Sequence, residues 1–447
     1  MDFHIINVVW GEEYTDLFLR VSLPSQLAPG NLPAFSEMGK SAIYKIYTTE
    51  KDAETIIKSP VFSELCSVIP VQIVKINTDI NLSQKYEAMI HCHNHAIAFS
   101  YKVNAKLIFL APDIVLADKG FANLINIEAT GKLLVMLAGY RTAKETFVPA
   151  LMQAFYGSNV LSVSIQSRDL VRISLEHLHP YSQALIWDAT DYNTLPSHIY
   201  WNVNDKGLLL RCFNMHPLMI NPQGMDVIPQ GTIDGRYWEQ VCQNIEDMYI
   251  VKDSDEIFAI EFSSLNSLND AISIGKKSNI SEVAEWAINR WNYHPGLHGN
   301  LLKRRIKIHA EDINDEEWKK VENESDKILA EIYQLWAVKL KQAGKIQEAL
   351  DIYGNAIELN QSLDDCHHNL GELLAILGRF DEAVTSYQRA IELNQQSIWS
   401  HYNLGEVWAK LSRWDEAIAC YRNAIALKPE EGKIYYSLAQ ALNKLKQ

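Results

Sequence analysis

Basic side chains are scarce in this chain: 41 Lys and Arg stand against 55 Asp and Glu in 447 residues, a net charge of -14. Neutralising a phosphate backbone takes concentrated Lys and Arg, so nucleic acid is excluded as the main partner. The one short basic run, Lys303-Arg304-Arg305 with Lys307, faces an acidic stretch and reads as a solvated linker face. Cysteine is sparse too. Cys66, Cys92, Cys212, Cys242, Cys366 and Cys420 are scattered with no C-x-x-C pair, which argues against a disulfide framework and fits a reducing, cytoplasmic location. The apolar run within Met1–Trp10 is too short for a span and has no basic leader, so neither export nor membrane insertion is expected.

Several nucleotide and nucleophile signatures are also missing. Ile274-Gly275-Lys276-Lys277-Ser278 hints at a phosphate loop, but Asp270 stands five residues before the glycine and Lys277 fills the hydroxyl position. No G-x-G-x-x-G follows the first apolar run, where Trp10-Gly11-Glu12-Glu13 stands, and no G-x-S-x-G elbow occurs. Dinucleotide oxidoreductases and α/β-hydrolases are thereby disfavoured.

What is present is ample core material, with 47% apolar residues and eleven tryptophans, in a chain long enough for two or three domains. Short β-branched runs alternate with helical patterns over the first 300 residues, the mark of an α/β domain with a largely parallel sheet and helices on both faces. Strands are expected at Phe3–Trp10, Ile43–Tyr47, Val71–Ile76, Lys106–Leu110 and Leu133–Ala138. A long helix should run from a cap at Asn81 through Leu82 to Tyr101. From about residue 150 the pattern becomes α+β, with strands near Val160–Ile165, Ile199–Asn202, Leu208–Phe213 and Met248–Val251. A helix over Ile280–Tyr293 leads to a charged linker at 301–326, densest over Ala310–Asp326.

Beyond it the chain repeats every 34 residues: Asn369-Leu370-Gly371-Glu372 returns as Asn403-Leu404-Gly405-Glu406, and Ala383, Tyr387 and Ala390 return as Ala417, Tyr421 and Ala424. That period gives an all-α domain over 327–447, with repeats at 327–360, 361–394 and 395–428 and a capping helix at 431–446. Asn-Leu-Gly, Ala-x-x-x-Tyr-x-x-Ala and Pro429 together resemble the tetratricopeptide repeat (TPR), with Trp336-Ala337 replacing Leu-Gly in the first repeat. The resemblance implies a helical solenoid whose concave face holds a protein or peptide. Asn369 and Asn403 recur on that face, and a carboxamide that both donates and accepts matches an extended peptide unit. Similar asparagine rows line the repeats of protein O-linked N-acetylglucosamine transferases.

Four constellations in the first 300 residues carry chemistry. The strand Lys106–Leu110 runs into Ala111-Pro112-Asp113 and on to Asp118, which puts acids in the crevice where open α/β sheets bind ligands. Carboxylate oxygens there suit Mg²⁺ or Mn²⁺ beside a phosphate-bearing substrate. A second strand runs into Asp253-Ser254-Asp255-Glu256, where alternate carboxylates bracket a cation or supply a ligand and a general base. His216 follows the strand at Arg211–Phe213, with Asp234 further on, and is a candidate metal ligand. His91 and His95 share a helix face at i, i+4, which is the basis of a zinc-hydrolase reading.

The order of these parts resembles the nucleotide-sugar-dependent glycosyltransferases of the GT-A fold over residues 3–265, although Leu110-Ala111-Pro112-Asp113 replaces a plain Asp-x-Asp. That resemblance implies donor contacts from Asp113 and Asp118, Mn²⁺ or Mg²⁺ held by Asp113 and His216, and catalytic or acceptor-side roles for Asp253 and Asp255. The sequence therefore points to a sugar transferase over 1–300 fused to a TPR domain that binds the acceptor or a partner. A non-catalytic TPR scaffold with an α/β ligand-binding module is the alternative.

Overall fold

Every residue of the first strand, Phe3–Val8 (β1), is buried, as expected of a central parallel strand covered on both faces. In the computed structural model, which describes residues 2–76, 85–157, 160–223, 233, 237–291 and 294–446, that strand is an interior strand of a seven-stranded sheet. The others are Ala42–Thr48 (β2), Val71–Lys75 (β3), Lys106–Leu110 (β4), Leu134–Leu137 (β5), His216–Ile220 (β6) and Met248–Ile250 (β7). Their spatial order is β7-β5-β6-β4-β1-β2-β3. Only β6 is antiparallel to its neighbours. Phe3 pairs with both Ala42 and Lys106, so the strand order reverses at β1 and β4.

Alternation sends Phe3 and Ile5 into one core, beside Phe18, Phe35 and Phe121. His4 points the other way and meets Ser100, on helix Lys85–Val103, at 2.7 Å. The expected start of that helix at Asn81 and Leu82 lies outside the described residues.

A three-stranded sheet joins Ile306–His309, Gly207–Cys212 and His198–Val203 in antiparallel pairs. A second three-stranded sheet places Ala259–Ser263 between Ile114–Leu116 and Arg141–Ala143. Residues 160–165, expected as a strand, join no ladder. They are an extended segment tied by single bonds, Val163 N–H to Pro24 O and Asp118 N–H to Ile165 O.

Two units emerge, residues 1–278 with 304–322, and residues 279–303 with 323–447. The segment read as a charged linker is ordered structure. Its Lys and Arg residues flank and occupy the strand Ile306–His309, where Lys307 pairs with Glu322 at 3.0 Å. Asn314 then caps a long helix: Glu317 N–H donates to Asn314 Oδ1 at 2.9 Å, and Glu317 Oε2 accepts the Asn314 N–H at 3.3 Å. Asp315, Glu316 and Glu317 complement the positive end of that helix.

The second unit is all helical: Ile280–Trp291 (α1), Pro295–Leu302 (α2), then Asp315–Gln342 (α3, which begins in the first unit), Ile346–Leu359 (α4), Asp364–Ile376 (α5), Phe380–Leu393 (α6), Ile398–Lys410 (α7), Trp414–Leu427 (α8) and Gly432–Leu445 (α9). The 34-residue period sets this packing. A Cβ at Gly371 would stand 3.0 Å from the Tyr387 ring and one at Gly405 2.6 Å from the Tyr421 ring, so a bare backbone lets each helix pair close. The helix α2 joins the array through Gly299, whose carbonyl accepts from Tyr333 Oη at 2.6 Å.

Candidate functional site

β1 ends at Val8, and the chain swings through Gly11 into the helix Glu12–Leu17, which carries Tyr14. Gly11 takes φ 86°, a region an L side chain rarely adopts, and its N–H donates to Asp52 Oδ2 at 2.9 Å. β4 ends at Leu110 and leads through Pro112 to Asp113, whose carbonyl accepts from Phe262 N–H at 3.1 Å. Pairing places Glu261 opposite both Ile114 and Arg141, and the Arg141 guanidinium reaches the Glu261 carboxylate at 2.8 Å.

Four segments thus deliver Tyr14, Asp113, Arg141 and Glu261 to one half-buried cluster beyond the carboxyl ends of β1 and β4. That is the switch point of the sheet, where open α/β folds bind ligands. Burial first, and then the Glu261 carboxylate, push Asp113 up to about 7, with Arg141 opposing the rise. Burial and Asp113 also raise Tyr14. The cluster therefore holds two carboxyl groups against one guanidinium, a donor set that suits a hard cation, with Arg141 able to offer N–H groups to phosphate oxygens.

The other residues singled out in the sequence fall elsewhere. Asp118 is a structural brace: Oδ1 accepts from the N–H of Gly30 at 2.7 Å and of Lys119 at 2.8 Å, and Oδ2 accepts from Ser164 Oγ at 2.6 Å. His216 begins β6 on the same sheet edge as the end of β4, and its Nε2 approaches the Phe109 carbonyl at 3.4 Å. Asp234 lies outside the described residues. His91 is exposed and His95 bonds the Tyr47 hydroxyl at 3.0 Å. Neither belongs to a group of three or more potential metal ligands among the described residues.

Asp253 and Asp255, beyond the end of β7, form a second cluster with a residue the sequence reading missed, His309. His309 Nε2 stands 3.0 Å from Asp253 Oδ1 and 3.9 Å from Asp255 Oδ2. Arg168 grips Asp255 with two nitrogens and Asp312 with a third. The Asp253 bond holds His309 above its ordinary range. Burial alone would raise Asp253, but the bonds from His309 and the Asp255 amide outweigh it and keep it low.

In the repeats the two asparagines are engaged internally. Asn369 Oδ1 accepts from Lys341 Nζ at 2.8 Å while its Nδ2 donates to the Asp365 carbonyl at 2.8 Å. Asn403 hydrogen-bonds the Tyr387 hydroxyl.

Comparison with known families matches a TPR repeat model over residues 371–412 and a tetratricopeptide repeat model over residues 398–431. A comparison with curated proteins finds no match. Among solved structures, an Arabidopsis OM64 TPR domain is 19% identical, with a TM-score of 0.26, covering 26% of this chain and 96% of that one. The first TPR of Spaghetti (RPAP3), bound to the HSP90 peptide SRMEEVD, is 20% identical with a TM-score of 0.27, covering 27% and 96%. No helix among the described residues is long and apolar enough to cross a membrane. The C-terminal region of this chain carries tetratricopeptide repeats, a protein-interaction module that follows an α/β region.

Proposed function

We propose that the α/β unit transfers a sugar from a nucleotide-sugar donor to a protein or glycan acceptor, and that the repeats bind that acceptor or a partner protein. The observation that carries this reading is the Tyr14–Asp113–Arg141–Glu261 cluster at the switch point. A carboxyl group raised by a neighbouring carboxylate gains most from a divalent cation, which relieves the repulsion. Mn²⁺ or Mg²⁺ fits Asp113 and Glu261 on that ground, and when bound it would neutralise a departing diphosphate. Arg141 adds a fixed positive charge beside it. His216 stands at the start of β6, with its Nε2 at the Phe109 carbonyl. Asp118 serves the scaffold, and no base role is given to Asp253 or Asp255, because Arg168 and His309 already hold their charges.

Calorimetry of the full chain with a panel of sugar nucleotides and Mn²⁺ tests the reading. One donor should bind and be hydrolysed or transferred, and Asp113→Ala and Arg141→Ala should each weaken donor binding at least tenfold. No heat with any donor, alongside stable capture of a partner by the repeats, would favour a non-catalytic scaffold.

A further inference from the structure

We propose that Asp253, Asp255 and His309 form a divalent-cation site that clips the turn after β7 to the strand Ile306–His309. This site is separate from the Asp113 cluster, and one buried ring orients it. His309 is 7% exposed, and its Nδ1 lies 2.8 Å from the Glu311 carbonyl. A carbonyl only accepts, so Nδ1 carries the hydrogen. Nε2, on the other side of the ring, faces Asp253 Oδ1 at 3.0 Å and Asp255 Oδ2 at 3.9 Å, and shares a proton with Asp253 while no ion is bound. A divalent ion can displace that proton and take the ring nitrogen and both carboxylates as ligands. A ring nitrogen fixed by a backbone carbonyl on its far side is also how metal-bound histidines are oriented.

Backbone bonds place these groups before any ion arrives. Ser254 N–H donates to the Lys307 carbonyl at 2.9 Å, Lys307 N–H donates to Lys252 at 2.7 Å, and His309 N–H donates to Ser254 Oγ at 3.2 Å. The three ligand atoms already lie within 4.8 Å of one another. Ligands on an ion at about 2.1 Å stand roughly 3.0–3.5 Å apart, so Asp255 needs only a small inward shift. Arg168 need not leave, since a carboxylate has about four lone-pair directions and can serve a guanidinium and an ion together.

Charge points the same way. Arg168 pairs with Asp255 and Asp312, Asp253 stands beside them on His309, and nearby Lys307 is matched by Glu322. A divalent ion on a neutral imidazole brings that group to neutrality. One nitrogen with two carboxylates, and half-exposed acids that leave room for water, suits Zn²⁺ or Mn²⁺ over Ca²⁺.

The test uses metal-stripped full chain carrying Asp113→Ala, which removes the cation expected at the other cluster. Titration with ZnCl2 or MnCl2 alone is followed by calorimetry and by thermal unfolding. One equivalent should bind and raise Tm. Adding His309→Ala should remove that equivalent and the Tm rise, while any ion on His91 and His95 would persist in both proteins. Should His309→Ala not fold, Asp255→Asn, at an exposed position, should bind at least tenfold more weakly. Equal stoichiometry and affinity with and without the His309 or Asp255 change overturns the site, and leaves the sugar-transfer reading untouched.

Discussion

Tyr387 of one repeat takes a hydrogen bond from Asn403 of the next, with the tyrosine only 1% exposed. At the position 34 residues on, Tyr421 instead donates to Glu406 at 2.7 Å. The asparagine that appears from the sequence to face a peptide therefore satisfies a buried hydroxyl. Asn403→Ala should strand that hydroxyl and cost about 1 kcal/mol of stability. Urea unfolding of the full chain measures it; an unchanged midpoint would free Asn403 for a role at the surface.

The turn between paired helices offers a matched gain and loss. Gly344 and Gly378 both adopt φ 74°, and the same place in the third repeat is Ser412 at φ 60°. Ser412→Gly should therefore stabilise by about 1 kcal/mol. Gly405→Ala should do the opposite and cost about 1–3 kcal/mol, because the added methyl meets the Tyr421 ring 2.6 Å away. Melting curves of both variants check the pair, and the two shifts should differ in sign.

His4 provides the pH dependence. It is 3% exposed, and burial, followed by the Lys45 charge, brings it down to about 4. A histidine depressed in the fold binds its proton more readily when unfolded. Its contribution is therefore complete above about pH 6.5 and is lost as pH falls toward 4. At about 1.4 kcal/mol per unit, it accounts for roughly 2 kcal/mol of the stability lost between pH 6.5 and pH 5. His4→Asn should flatten the pH 7 to pH 5 difference in unfolding free energy by about that amount, whatever its effect at pH 7. A variant that keeps the parent slope would show that His4 takes up its proton without unfolding.

The repeats are legible in the sequence because their contacts are local: Gly371 and Tyr387, or Gly405 and Tyr421, lie 16 residues apart within one 34-residue unit. Six of the seven strands of the large sheet are legible as short apolar runs between turns, whereas His216–Ile220 and the three strands of the Ala259–Ser263 sheet are not. Asp113 could be picked out because it follows a strand. Its partners could not, since Arg141 and Glu261 reach it through pairing between segments about 120 residues apart. His309 was hidden in the basic run that reads as a linker, where charge suggests solvent but antiparallel pairing with Gly207–Leu210 makes a strand. The Asn314-x-x-Glu317 cap was the overlooked sign that the charged stretch is helical. Residues 160–165 mislead the other way, because β-branched composition records extended backbone without a partner strand.

Asp113 and Asp118, which the sequence groups as donor contacts, should separate under mutation. Asp118 joins three segments by accepting bonds from Gly30, Lys119 and Ser164, so Asp118→Ala should cost about 2 kcal/mol. Asp113 faces the Glu261 carboxylate and is destabilised as an anion. Asp113→Ala should therefore keep Tm within a few degrees of the parent at pH 8, while donor binding falls at least tenfold. Thermal unfolding and donor calorimetry on both variants give four numbers with one expected pattern: stability lost and binding kept for Asp118, stability kept and binding lost for Asp113. The reverse pattern would move the donor contact to Asp118 and return Asp113 to the scaffold.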